Sequence, residues 1–152
     1  MVEKQETNRN IYTMGYEGIK IENFIEKIKS NNIKIIIDVR DYPKSRKRGF
    51  SKSQLEKILK DRHILYFHFK ELGTPIELRK YLKKYNDFKR FKKDFKKLLA
   101  DKEGDIKKLI YLARESSICL MCFERKADTC HRSLIVDEIN KNSNNFFNII
   151  NL

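Results

Sequence analysis

Apolar positions along this chain follow two alternating rhythms, and their order predicts the architecture. Ile11, Tyr12 and Met14 form a short apolar run that stops at Gly15, the pattern of a first strand. Ile21, Phe24, Ile25 and Ile28 then recur at helical spacing, with Asn31 and Asn32 as the stop. Ile33, Ile35, Ile36, Ile37 and Val39 make a nearly continuous β-branched run, which reads as a strand buried on both faces of a parallel sheet. A helix opens at Ser51 and carries Leu55, Ile58 and Leu59; Ser51 with Gln54 three residues later fits a capping box. Residues 64–69 predict a third strand, leading to a turn at Leu72, Gly73, Thr74 and Pro75. A helical region extends from Ile76 to about Leu99, aromatic and basic in composition and broken near Asn86 and Asp87. Gly104 and Asp105 start another helix that reaches about Arg114. Residues 118–123 predict a buried fourth strand, residues 130–140 a helix capped by Asp128 or Thr129, and residues 146–150 a last strand.

Strands alternating with helices in this way predict a three-layer α/β domain: a mostly parallel sheet of about five strands with helices on both faces. Residues 1–152 read as a single domain, with residues 1–9 as a disordered or loosely held N-terminus. In such folds ligands bind beyond the carboxyl ends of the strands. The residues at those ends are Gly15, Tyr16 and Glu17; Asp38, Val39 and Arg40; His68; and Cys122, Phe123 and Glu124. Side chains able to do chemistry stand at all four ends, so the pattern predicts one shared anion-binding site.

Composition changes this picture in two ways. A chain of 152 residues can bury a core without disulfide or metal staples, and its three cysteines do not suggest a secreted disulfide framework. No apolar run approaches the roughly 20 residues of a membrane-spanning helix, and the polar start has no signal-peptide core. The expected setting is a reducing cytoplasm, with no membrane partner. Secondly, the net charge of +13 is unevenly spread: residues 44–101 hold 19 Lys and Arg against 7 Asp and Glu, leaving 15 against 14 elsewhere. Such asymmetry is the footprint of a DNA or RNA partner, or serves a phosphorylated small molecule; a chain-wide lysine bias would give the same count with no partner at all. Nothing in the pattern specifies an oligomeric state.

The candidate chemistry lies in short motifs. Asp38 and Arg40 leave their strand on the same side. An ionised Asp38 beside an Arg40 left free for phosphate is one reading, and a structural ion pair is the other. The basic loop that follows, with Ser45, Arg46 and the aromatic Phe50, opens onto the same rim and suits a phosphodiester backbone. Tyr16 offers stacking or a hydrogen bond there, beside Glu17.

Cys122, Glu124, Cys130, His131 and Arg132 bracket the fourth strand's exit and the next helix's start. A zinc site of Cys119, Cys122, Cys130 and His131 is disfavoured, because offset-three strand positions face opposite ways and adjacent Cys and His rarely close one tetrahedral site. A phosphatase-like thiol at Cys122 would need an Arg six positions on, where Asp128 stands. At the helix start, however, Cys130 sits in the positive end of the dipole, Arg132 can reach an anion, and Glu124 can serve as acid, base or nucleophile. Cys130 is then either a reactive thiol or a small buried helix-start residue; Cys119 reads as core. His68 is a binding candidate at its strand end, with a satisfied structural histidine as the other reading. No metal and no cofactor are expected.

Taken together, these motifs resemble a known family. Residues 11–18, Asp38-Val39-Arg40, Pro43 with Ser45 and Arg46, Gly49-Phe50-Ser51-Lys52, Leu72-Gly73 with Pro75, residues 120–124 and Cys130-His131-Arg132 resemble, in order, the domain-of-unknown-function family DUF488. The chain carries Thr74 where many members have a second glycine. The resemblance implies a compact α/β fold and a shared polar site including Asp38, Arg40, Glu124, Cys130, His131 and Arg132, but no activity. The residues themselves suggest an enzyme acting on nucleic acid or a nucleotide. In that reading Arg40, Arg46 and Arg132 hold phosphate, Asp38 and Glu124 divide acid and base roles, and the bond is glycosidic or phosphoester, cleaved or transferred. A non-catalytic nucleic-acid-binding module and a thiol redox or zinc protein are the alternatives.

Overall fold

The computed structural model describes residues 9–152. The expectation for the first nine residues lies outside the described residues, apart from Arg9, whose carbonyl accepts a 2.8 Å bond from the Asn148 amide. Five strands, β1 (Asn10–Gly15), β2 (Ile35–Asp38), β3 (Leu65–His68), β4 (Ile118–Cys122) and β5 (Asn148–Asn151), form one sheet in the order β3-β2-β4-β1-β5. Every pairing is parallel. The helices are α1 (Ile21–Ser30), α2 (Lys52–Lys60), α3 (Ile76–Tyr85), α4 (Phe88–Ala100), α5 (Glu103–Glu115) and α6 (His131–Lys141), with 3-10 turns at Lys70–Leu72 and Ala127–Thr129. None of the helices among the described residues is long and apolar enough to cross a membrane.

Strand alternation divides the core. Ile36, Cys119, Met121 and Met14 point to one face, against Phe24, Ile25 and Ile28 of α1 and Leu55 and Leu59 of α2. Ile35, Ile37, Ile118, Leu120 and Cys122 point to the other, against Phe91 and Phe95 of α4, Leu109 of α5 and Leu134, Ile135 and Ile139 of α6. This is the three-layer α/β arrangement the alternating rhythms predict. The edge strands β3 and β5 are the exceptions to burial: neither has a buried residue, and in β3 Leu65 is 57 % and Phe67 40 % exposed.

Two helix starts differ from expectation. Ser51 precedes α2 but makes no cap: its hydroxyl donates to the Ser45 carbonyl (2.9 Å) and accepts from the Ser45 amide (3.1 Å). Gln54 accepts from the Gly49 amide (3.0 Å) instead of closing a capping box. Both side chains thus satisfy backbone groups of the basic loop, which has no ladder of its own to satisfy them. At α6 the cap is Cys130, not Asp128 or Thr129, which are taken up in the preceding 3-10 turn; the Cys130 sulfur accepts from the Arg132 amide at 3.5 Å.

The register brings Gly15 level with Cys122, and Asp38 level with both Met121 and His68, so the four strand ends form one rim. Gly15 lets the exit from β4 cross that rim. A Cβ built there would lie 1.7 Å from the Glu124 carbonyl oxygen and 2.9 Å from the Arg125 Cα. Gly15→Ala should therefore displace the 124–125 backbone and cost about 1–3 kcal/mol, the usual range for overpacking. Gly104→Ala, in α5 with open space around its Cα, should gain up to about 1 kcal/mol from helix propensity. Urea denaturation of the two variants checks the pair.

Candidate functional site

The β2 exit is closed by a saturated ion pair. Asp38 is fully buried, and Arg40 is 6 % exposed. One Asp38 oxygen accepts from the Arg40 Nε (2.9 Å) and amide (3.1 Å); the other accepts from Arg40 Nη2 (2.7 Å) and the Tyr66 hydroxyl (2.5 Å). Arg40 Nη1 donates to the Phe50 carbonyl (2.6 Å) and the Tyr16 hydroxyl (3.2 Å). Burial works against the Arg40 charge, but the bonds and attraction of Asp38, then those of Tyr16, hold its pKa above the ordinary arginine value. Burial and the adjacent carboxylate push the Tyr66 hydroxyl well above the ordinary tyrosine value. With about four lone-pair sites on a carboxylate, Asp38 has none left for a proton in transit. Asp38 and Arg40, expected as catalyst and phosphate ligand, form a structural ion pair that fastens β2 to residue 50, and Arg40 also lines the strand-end cavity.

Other expected contacts are structural as well. Phe50 is fully buried and stacks on Tyr16 at 4.4 Å, so it belongs to the core and not to an anion site. His68 holds the Arg40 carbonyl at 2.7 Å and Glu17 accepts from the Arg125 amide at 3.1 Å, while Arg46 lines a groove that shares Tyr42, Lys44 and Ser45 with the strand-end cavity.

The β4 exit and the start of α6 do converge. Arg132, the largest fully buried side chain, donates through Nε to the Thr13 hydroxyl (3.2 Å), through Nη1 to the Cys122 sulfur (2.8 Å) and the Glu124 carbonyl, and through Nη2 to the Arg125 carbonyl (3.0 Å). The expectation that Arg132 reaches an outside anion gives way to this inward network. The Cys122 and Cys130 sulfurs are 2.7 Å apart, both cysteines being free. Cys130 Sγ also lies 3.4 Å from a Glu124 carboxylate oxygen and 3.5 Å from His131 Nδ1. His131 Nε2 is 2.8 Å from the Val39 carbonyl, which must accept, so in the neutral ring Nδ1 keeps its lone pair for Cys130. Burial, and next the bond with Cys122, push the Cys130 thiol well above its ordinary value. Burial opposes a charged His131, yet Cys130, the Val39 carbonyl and Glu124 leave its pKa above the ordinary histidine value. Cys119 is fully buried on the opposite sheet face, where burial pushes its thiol up to about 12.

A cavity of about 330 Å³ opens above these groups. Cys122, Glu124 and His131 line it, as do Tyr16, Ser45, Lys44 and Arg79. Lys44 sits 5.4 Å over the exposed Tyr42 ring, and Arg79 pairs with Asp41 at 3.5 Å. Thr74 is buried against the same cavity. The neighbouring Gly73 allows that turn to pass Asp41, whose amide a Cβ would meet at 2.3 Å. Donor atoms of Cys122, Glu124 and Cys130 lie within 4.8 Å of one another, close enough to share a soft metal. The Arg132 guanidinium against Cys122, however, puts a fixed positive charge beside the place a cation would take.

Sequence reasoning missed Arg79, Thr13 and Tyr66. Arg79 carries no motif, and only the packing of α3 brings it to the rim. Thr13 had a signal, a polar residue in an otherwise apolar strand run. The closed ion pair yields a direct expectation: Asp38→Asn leaves a buried guanidinium uncompensated and should cost about 3–5 kcal/mol, read as a lowered urea midpoint.

The sequence profile of the family described as domain of unknown function DUF488 matches residues 20–139. No curated protein and no solved structure matches the chain. The matched span runs from the residue before α1 to Ile139 near the end of α6, and includes the β2 exit, the basic loop, the β4 exit and the Cys130-His131-Arg132 helix start. The chain belongs to the DUF488 family.

Proposed function

We propose that the chain is an enzyme that acts on a nucleotide or nucleic acid in the cavity beyond β1, β2 and β4. The observation that carries this reading is the lining: Glu124, His131 and Cys122 share one cavity with the rim cations Lys44 and Arg79 and the aromatic Tyr42. A volume of about 330 Å³ falls at the lower end of small-molecule sites, about 300–1,000 Å³. Cations beside an exposed ring are the composition that holds a phosphate while a base stacks.

Within this reading Glu124 is the proton-transfer group. It is half-buried, its carboxylate has only the weak contact to Cys130 among the described residues, and it lines the cavity. His131 is oriented by Val39, as a base must be to keep one nitrogen free. Lys44 and Arg79 join Arg40 as the cations available to phosphate in this cavity, where the motifs alone name Arg40, Arg46 and Arg132. Cleavage or transfer at a glycosidic or phosphoester bond fits this set.

The test is binding of short single- and double-stranded DNA and RNA, and of free nucleotides, across a salt series, followed by product analysis. Salt-sensitive binding is expected. Lys44→Ala or Arg79→Ala should each lower the log–log salt slope by about one, since each cation neutralises one phosphate. Glu124→Gln should leave binding intact and reduce turnover by about 10²–10⁴-fold. Binding without product from the parent protein would make the chain a binding module; no binding at low salt would remove the reading.

A further inference from the structure

Two features of the thiol cluster are not used by the chemistry proposed above. The first is the charge balance of Arg132. It makes no ion pair with a carboxylate among the described residues, although it is fully buried. Among the described residues, the only ionisable side-chain group its guanidinium donates to is the Cys122 sulfur, at 2.8 Å. A buried cation held against that sulfur stabilises the negative charge that develops there when Cys122 reacts. The second is the spacing of the sulfurs. At 2.7 Å they are much closer than two unbonded sulfur atoms ordinarily sit.

We infer that Cys122 and Cys130 form a redox-active dithiol, in which Cys122 reacts with a small disulfide entering through the cavity and Cys130 resolves the product. The division of labour follows from position. Cys122 lines the cavity and carries Arg132 on its sulfur. Cys130 lies behind it at the cap of α6, retains its proton, and faces His131 Nδ1 at 3.5 Å. Cys122 loses its proton as it attacks one sulfur of the small disulfide, forming a mixed disulfide, and the departing sulfur takes up that proton to leave as the first thiol. Cys130 then attacks the Cys122 sulfur, and its proton passes through His131 to the second departing sulfur, which leaves as the second thiol. The net change is two cysteine thiols plus one disulfide giving one protein disulfide plus two small thiols. Cys119, on the other sheet face, takes no part.

This inference does not depend on what the cavity binds, and its readout is thiol content. The full chain is equilibrated with bis(2-hydroxyethyl) disulfide and 2-mercaptoethanol at graded ratios, quenched with an alkylating agent in denaturant, and weighed and peptide-mapped by mass spectrometry. Free thiols are expected to fall from three to one, with a reversible Cys122–Cys130 link and Cys119 alkylated throughout. In Cys130→Ser a mixed disulfide should accumulate on Cys122, whereas Cys122→Ser should gain no adduct at Cys130; circular dichroism verifies that each variant is folded. Should a variant fail to fold, the parent's peptide map decides alone. Three free thiols at every ratio, a link that includes Cys119, or stoichiometric zinc whose removal is needed before any thiol reacts would overturn it.

Discussion

Burying the Arg132 guanidinium constrains the rest of the site. It comes from the first turn of α6, yet its donors end on β1 through Thr13, on β4 through Cys122, and on the backbone of the β4 exit at Glu124 and Arg125. A planar group with its donors in a fixed fork allows little relative movement of the pieces it joins. The spot where α6 begins, the path of residues 122–125 and the height of β1 are therefore fixed by one side chain. Gly15 provides the matching space on β1, since any side chain there would collide with the same Glu124 carbonyl that Arg132 holds.

The two buried arginines solve the same electrostatic problem differently. Arg40 lies beside Asp38, and the pair is internally neutral, with Tyr16 and Tyr66 completing its hydrogen bonds. Such a pair gives rigidity but leaves little free charge for a ligand. Arg132 has carbonyls, a hydroxyl and a sulfur, but no carboxylate among the described residues. Carbonyl dipoles solvate a cation without neutralising it, so the unbalanced charge is directed at the thiol pair and, through Cys122, at the cavity. In the proposed reading the proton-transfer groups of the rim therefore lie on the β4–α6 side, with the β2 side as their frame.

Most of the fold was legible because period-two and period-3.6 patterns are set by burial, and burial here is nearly complete along β1, β2 and β4. The cysteine alternation was readable for the same reason: positions 119 and 122 had to face opposite ways, and the structure separates them into different core faces. The candidate site was legible only as a set of residue types. Asp38, Arg40, Glu124, Cys130, His131 and Arg132 do gather at the strand ends, but one sequence does not encode which polar groups satisfy each other and which remain for a ligand. Asp38 and Arg40 consume their own capacity, Phe50 turns inward against Tyr16, and Arg79 arrives from a helix with no motif. The same limit explains the misplaced caps, since Ser51 and Gln54 have loop amides to satisfy that a local pattern does not reveal.

The positive charge is a separate matter from the site. Among residues 44–101 the lysines of α3 and α4, including Lys80, Lys83, Lys84, Lys92, Lys93, Lys96 and Lys97, are exposed, while the apolar residues between them, such as Phe91, Phe95 and Leu99, face the core. Of the whole run, Lys44 and Arg79 are the cations that line the strand-end cavity beside the Asp38-paired Arg40. Exposed lysines separated from the cavity by more than a Debye length, about 8 Å at physiological salt, contribute little to holding a ligand there. They can raise the local concentration of a polyanion and speed its arrival. In the nucleic-acid reading the lysine excess acts on arrival and the cavity on retention. The excess would favour long phosphate-bearing molecules over short ones, whereas the few groups at the rim decide what is held.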